Sequence, residues 1–285
     1  MEDEPLYQTP SYLESVQSQL PALQLLVEMG WEYLTPEQCC KLRNGRLGTA
    51  VLDPILFDFI REHGRYTFKG GEHVFTENAI TNAVQALKAF RATGAIHQNE
   101  EVYDLLCLGT SVPQTVEGDT KSFSIAYIDW KHPENNRYHC TAEFKVERVG
   151  LQKHYIPDIV LFINGIPVVV IECKRAAYSD SKKQPVDLAI DQLLGYQKKD
   201  GIPQVFLYSQ LLLSLARDKA EYGTTGTPRK FWTVWREDGL DEAIQSLIQR
   251  PVAEDSPLLT GPFASAAAGF LQLHSEGRKV YQQDR

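Results

Sequence analysis

The sequence predicts an α/β fold: a mixed central β-sheet flanked by helices, with a helical N-terminal region before it. Three observations carry this. Two dense apolar runs, residues 158–163 and 168–171, stand on either side of Asn164-Gly165. Apolar runs this continuous form strands buried on both faces, and Asn-Gly between them signals a hairpin. A helical pattern over 186–199 follows, as it should where helices cover a sheet. The first third of the chain shows helix starts and stops instead of period-two alternation.

The elements run as follows. Residues 1–10 are polar and expected to fray. A helix should occupy 11–29, with leucines and Val27 on one face and Gly30 as its stop; Pro21 falls inside it and predicts a break into two. Thr35-Pro36-Glu37 reads as an N-cap followed by proline at the first helical position, and Asp53-Pro54 repeats that signal before residues 55–62. Thr76 starts a further helix with Ile80, Ala83, Val84 and Leu87 on one side. Residues 123–130 and 139–149 are rich in β-formers and predict strands. Strands are also expected at 203–208, with its apolar part at 205–208, and at 231–235. Asp241-Glu242-Ala243-Ile244 imitates a helicase acidic box, but no buried strand leads into it, so it is read as a helix start. This divides the chain into a helical region at 1–110 packed on the core, a core at 111–250, and a linker or tail at 251–285. No internal repeat is present.

Composition narrows the function. The 285 residues, 43% hydrophobic, suffice for a sizeable core. With 29 basic against 37 acidic residues the net charge is −8. A chain that grips DNA unaided carries a basic balance or stripe, so any action on DNA must be local or assisted by partners. The five cysteines form no C-x-x-C pair, and the seven histidines form no metal-binding cluster. This predicts reduced thiols and a cytoplasmic setting. The start Met1-Glu2-Asp3-Glu4 has the wrong charge for a signal peptide, and no apolar run is long enough to span a membrane.

The chemistry concentrates in residues 156–174. Asp158 precedes the first apolar run, and Glu172 and Lys174 end the second. Two residues apart on a strand, Glu172 and Lys174 share a face. An acid at the rim of a buried sheet is costly unless a cation satisfies it. Two converging carboxylates make a hard oxygen site suited to magnesium, which polarises a phosphodiester and acidifies bound water. A lysine beside them can orient that water or offset charge developing on phosphate. Taken alone, a Glu-x-Lys pair is more often a solvated ion pair at a sheet edge. Gln192 and Tyr196, four apart on one helical face, could reach a phosphate or hold the site's geometry, or else simply cap the sheet.

A register problem constrains this reading. A two-residue type I′ turn at Asn164-Gly165 would pair Ile163 with Ile166 and Asp158 with Ile171, turning Asp158 away from Glu172. One odd residue is needed. The form expected is a three-residue loop, Ile163-Asn164-Gly165, with Gly165 in a bulge, Phe162 paired with Ile166 and Asp158 with Val170; a bulge elsewhere in either strand would serve equally, and so would Asp158 standing just before regular pairing begins.

The run P-D-x-V-L-F-I-N-G-x-P-x-x-x-I-E-x-K, followed by Q-x-x-x-Y, closely resembles the nuclease domain of the restriction (R) subunit of type I restriction-modification enzymes. Weaker likeness extends to residues 20–33, with Gly30-Trp31-Glu32-Tyr33, and to residues 221–232. The resemblance implies a PD-(D/E)xK fold of the RecB-like nuclease superfamily. It implies that Asp158 and Glu172 bind Mg2+ with the Cys173 carbonyl, that Lys174 is the catalytic lysine, and that Gln192 and Tyr196 form the supporting motif. Many relatives carry a glutamate on the first helix; Gln19 stands in that place here, with Glu14 nearby. The implied partners are DNA and the modification and specificity subunits. No G-x-x-x-x-G-K-[ST] occurs, so ATP is expected to act only through a translocase outside this chain. A free-standing RecB-like repair nuclease and a non-catalytic docking arm are the competing readings.

Overall fold

The computed structural model describes residues 18–89, 94–175, 184–216, 219–236, 239, 242–248 and 256–259. Helix α1 (Leu20–Glu28) has Pro21 in its first turn, where the missing N–H costs no helical bond, and ends at Gly30 with φ +95°. The proline therefore sits in the opening turn of this helix. The part of the expected helix before residue 18 lies outside the described residues.

The N-terminal third is less helical than its sequence suggests. Strand β1 (Glu32–Leu34) follows α1. Helix α2 (Pro36–Leu42) starts as expected: the Thr35 hydroxyl accepts from Gln38 N, and the Gln38 side chain accepts from Thr35 N. Helix α3 (Asp53–His63) departs from expectation. Its cap is Leu52, because the Asp53 carboxylate accepts from Lys88 Nζ at 2.6 Å. A hairpin of β2 (Arg65–Phe68) and β3 (Gly71–Val74) precedes α4 (Glu77–Leu87), which Thr76 caps. After α5 (Ala95–Leu108), strands β4 (Thr110–Val116) and β5 (Asp119–Ile125) form a second hairpin. The strand expected at 123–130 thus ends at Ile125 and stays outside the main sheet.

The main sheet uses later elements. Strand β6 (Tyr138–Ala142) ends where Glu143 turns left-handed, φ +52°, so the single strand expected at 139–149 is interrupted before β7 (Val146–Glu147), which pairs with β8 (His154–Tyr155). Then come β9 (Ile159–Ile163), β10 (Ile166–Cys173) and α6 (Pro185–Tyr196). The strand expected at 203–208 is a helical turn, α7 (Pro203–Phe206), opened by Pro203. The strand beside β10 is β11 (Leu211–Ala216), a leucine run whose composition favours helix but whose place next to β10 makes it extended. Strands β12 (Lys219–Gly223) and β13 (Thr233–Val234) follow; Arg229–Phe231 is a 3-10 turn, which shortens the strand expected at 231–235. Helix α8 (Glu242–Ile248) starts where the acidic pair predicted.

Among the described residues the central sheet has seven strands, ordered β1-β6-β9-β10-β11-β12-β13. It is mixed: β1 with β6 and β10 with β11 are parallel, and the other neighbours are antiparallel. Its two faces explain the continuous apolar runs. Val160, Phe162 and Val170 face Ile190 and Leu193 of α6, in a core shared with α3 and α4. Ile159, Leu161, Ile171 and Cys173 face Leu20 and Leu23 of α1. Each large side chain so buried contributes about 1.5–3 kcal/mol. Leu258 is buried in that second layer, a contact the linker reading of 251–285 does not include. The rest of that tail lies outside the described residues.

The β9–β10 hairpin closes with a two-residue turn, Asn164 at φ +51° and Gly165 at φ +80°, pairing Ile163 with Ile166. The expected three-residue loop does not form. Asn164 explains why. Its side chain is fully buried, accepts from Arg137 N at 2.8 Å, and donates to Tyr127 O at 3.0 Å and Asn136 Oδ1 at 2.8 Å. Gly165 is packed so closely that a Cβ would meet Leu52 O at 2.5 Å. The odd residue appears instead at Val168, between the pairs Pro167–Phe162 and Val169–Leu161. Proline has no N–H for the ladder, so a bulge beside Pro167 costs the sheet little. Past the bulge Val170 pairs with Val160 and Ile171 with Ile159, which brings Glu172 opposite Asp158 on one face.

Candidate active site

Two strand ends and one helix build the site. Asp158 leads into β9, and Glu172 and Lys174 end β10. Glu172 is wholly buried. Its Oε1 accepts from Lys174 Nζ at 3.0 Å, no N–H donor reaches Oε2, and the carboxyl also meets that of Asp158. Lys174 Nζ also donates to the Cys173 carbonyl at 2.8 Å and stands 3.9 Å from Asp158 Oδ2. That same Asp158 oxygen accepts from Cys173 N at 2.7 Å, so the carboxylate of one strand is tied to the backbone of the other. Burial raises the Glu172 carboxyl well above the usual carboxylate range, and the neighbouring Asp158 adds to this; Lys174 opposes both and does not win.

Helix α6 covers this face. Ser214 of β11, the ladder partner of Glu172, donates to Val186 O at 2.7 Å and anchors the helix's first turn. Tyr196 packs on the same core as Val170, its ring 4.9 Å from that of Tyr155. Gln192 Nε2 donates to Tyr196 Oη at 2.5 Å, and that hydroxyl lies 3.5 Å from Ile156 O. Burial, with Glu172 as the next cause, pushes the Tyr196 phenol up. Gln192 and Tyr196 therefore stand on the Glu172 side of the sheet. Gln19, just before α1, is buried and donates to Glu143 Oε1 at 2.9 Å and Asp158 O at 3.0 Å.

A family model for the type I restriction enzyme R protein N terminus matches residues 11–231, most of the chain. The chain belongs to that family. Among curated relatives, it is 27% identical over 217 residues to the type I restriction enzyme HindI endonuclease subunit of Haemophilus influenzae, covering 75% of this chain and 19% of that protein. It is 29% identical over 212 residues to the MjaVIIIP endonuclease subunit of Methanocaldococcus jannaschii, covering 70% and 18%. The chain thus matches about a fifth of the length of these relatives.

The R-protein N terminus seen here has site neighbours that the sequence did not single out. Glu143 is a buried acid whose N–H donates to Asp158 O at 3.0 Å. Ser18 Oγ donates to Lys174 O at 2.7 Å. The one signal for Glu143 is a charge inside a stretch of β-formers, Cys140-Thr141-Ala142-Glu143-Phe144. Glu14 lies outside the described residues. Among the described residues no group of three or more His, Cys, Asp or Glu side chains is placed to hold a metal ion. No described helix is long and apolar enough to cross a membrane.

Proposed function

We propose that this chain carries the magnesium-dependent endonuclease site of a type I restriction enzyme R subunit, hydrolysing DNA phosphodiester bonds. The observation that carries it is Glu172: a fully buried acid that meets the Asp158 carboxyl, with a lysine 3.0 Å from one oxygen and no N–H donor on the other. Two acids buried side by side can both ionise only at a large cost, and a hard cation between them removes it. Asp158 and Glu172 would hold Mg2+ with the Cys173 carbonyl. Two acids and a carbonyl fit an ion that keeps several of its waters better than one that needs an all-protein cage.

Bound there, the ion would polarise the phosphodiester and lower the pKa of its water. The chain's own groups do the rest. Lys174, its ammonium held by Glu172 and the Cys173 carbonyl, places donors where negative charge develops on phosphate. The Asp158–Cys173 bond keeps the two strands in register at the reacting end. Tyr196, engaged by Gln192 and facing Ile156 O, supports the segment leading into Asp158. The net charge of −8 argues for delivery onto DNA by the modification and specificity subunits and an ATP-driven translocase, in the cytoplasm.

Calorimetric titration of the full chain with Mg2+ tests this. One ion should bind the parent and none should bind Asp158→Ala or Glu172→Ala, with both variants still folded. With the partner subunits and translocase supplied, a supercoiled plasmid should be nicked in Mg2+ and ATP, whereas an end-dependent repair nuclease would leave a closed circle intact. Unchanged Mg2+ binding by both variants would overturn the assignment.

A further inference from the structure

The Asp158 backbone is held from outside its own hairpin. Its carbonyl accepts two donors at 3.0 Å, the Glu143 N–H and the Gln19 amide. Gln19 spends its other contact on Glu143 Oε1, at 2.9 Å. Both acceptors are pure acceptors, so the Gln19 side chain must turn its NH2 toward them. Glu143 is held in the left-handed region at φ +52°, a conformation unfavourable for a non-glycine residue. That geometry sends its N–H to Asp158 O while its carboxylate meets Gln19. One residue earlier, Ser18 Oγ donates to Lys174 O at 2.7 Å. Residues 18 and 19 therefore touch the backbones of both strand ends that present the site. Ser18, Gln19 and Glu143 are all at least nine-tenths buried.

We propose that Gln19 and Glu143, assisted by Ser18, are positioning residues that lock the Asp158 backbone against the Lys174 strand end, with Glu143 acting by orienting the Gln19 amide. The inference rests on the nuclease reading of Asp158 and Glu172. Gln19 acts through the Asp158 carbonyl and touches no reacting atom. The expected consequence resembles the loss of an outer partner of a metal ligand, roughly 10- to 100-fold in metal affinity.

A double-mutant cycle on the full chain, read by calorimetry with Mg2+ alone, tests the clamp. Glu143→Gln and Glu143→Ala both remove the charge, but only Gln keeps an acceptor for Gln19. Glu143→Ala should therefore bind Mg2+ about tenfold more weakly than Glu143→Gln, a difference due to positioning and not to charge. In a Gln19→Ala background the two should bind alike, because the residue through which Glu143 acts is gone. A difference that persists in that background, or no difference with Gln19 present, would overturn the proposal. Thermal melts identify any variant that fails to fold, and for such a position the comparison moves to Ser18→Ala, expected to weaken binding in the same direction. The two readings fail separately. If Asp158→Ala and Glu172→Ala still bind Mg2+, the metal site is wrong; if they abolish binding while the cycle shows no coupling, only the clamp is wrong.

Discussion

Replacing Glu172 by glutamine tests the energetics of the site without any substrate. In the metal-free protein the Glu172 carboxyl titrates well above its ordinary range, chiefly because it is buried and secondly because Asp158 faces it. The sign follows from linkage. A raised folded pKa means the folded chain holds a proton that the unfolded chain has released. Stability is then greatest below the ordinary carboxylate pKa and falls as pH rises toward the folded pKa, by up to about 1.4 kcal/mol per pH unit. Glutamine removes that slope. It keeps an oxygen to accept from Lys174 Nζ, and Lys174 keeps the Cys173 carbonyl and the nearby Asp158. Its amide N–H2 can take the place of the Glu172 proton toward the Asp158 carboxyl. The variant should therefore be no more stable than the parent at a pH near the ordinary carboxylate range, and should gain on it as pH rises above that range. Urea unfolding in EDTA at several pH values measures this. Mg2+ should then stabilise the parent alone, by about 2.7 kcal/mol at a hundred times Kd. Parallel stability–pH curves for parent and variant would refute the reasoning, since Glu172 would then ionise alike in both states.

Three further outcomes follow from the same contacts. Tyr196→Phe loses a hydroxyl that receives the Gln192 amide; it should cost only about 0.5–1.5 kcal/mol in unfolding free energy yet lower plasmid nicking roughly tenfold. Gly165→Ala places a methyl 2.5 Å from Leu52 O at a φ of +80°, and chemical denaturation should show a loss of about 2–4 kcal/mol. Arg43 is buried, donates to the carbonyls of Cys39, Thr49 and Lys145, and lies 4.1 Å over the Phe144 ring. Arg43→Ala should cost about 3–5 kcal/mol, and lysine should restore less than half, because one ammonium cannot span three carbonyls and a ring.

The candidate site residues were legible in order along the chain. Asp158, Glu172, Lys174, Gln192 and Tyr196 stand in a spacing that reads without coordinates, and the two-sided apolar runs foretold a central sheet covered by helices. The caps at Thr35 and Thr76 were equally local, because a cap is decided within four residues. Other features depend on contacts far apart in sequence. The leucine run of β11 is extended only because it lies beside β10, and residues 203–206 coil because Pro203 opens a turn there. The bulge was required by the sequence argument, but its position at Val168 was settled by a buried Asn164 bonded to Tyr127, Asn136 and Arg137 and by Leu52 pressing on Gly165. Glu143 came to the site only because β6 pairs with β9, across which its N–H meets the Asp158 carbonyl. Spacing along a strand is set by covalent geometry, so the sequence alone put Glu172 and Lys174 on one face, which Asp158 joins only through the bulge at Val168. Which neighbours press on them is set by pairing between strands, and only the tertiary structure decided that.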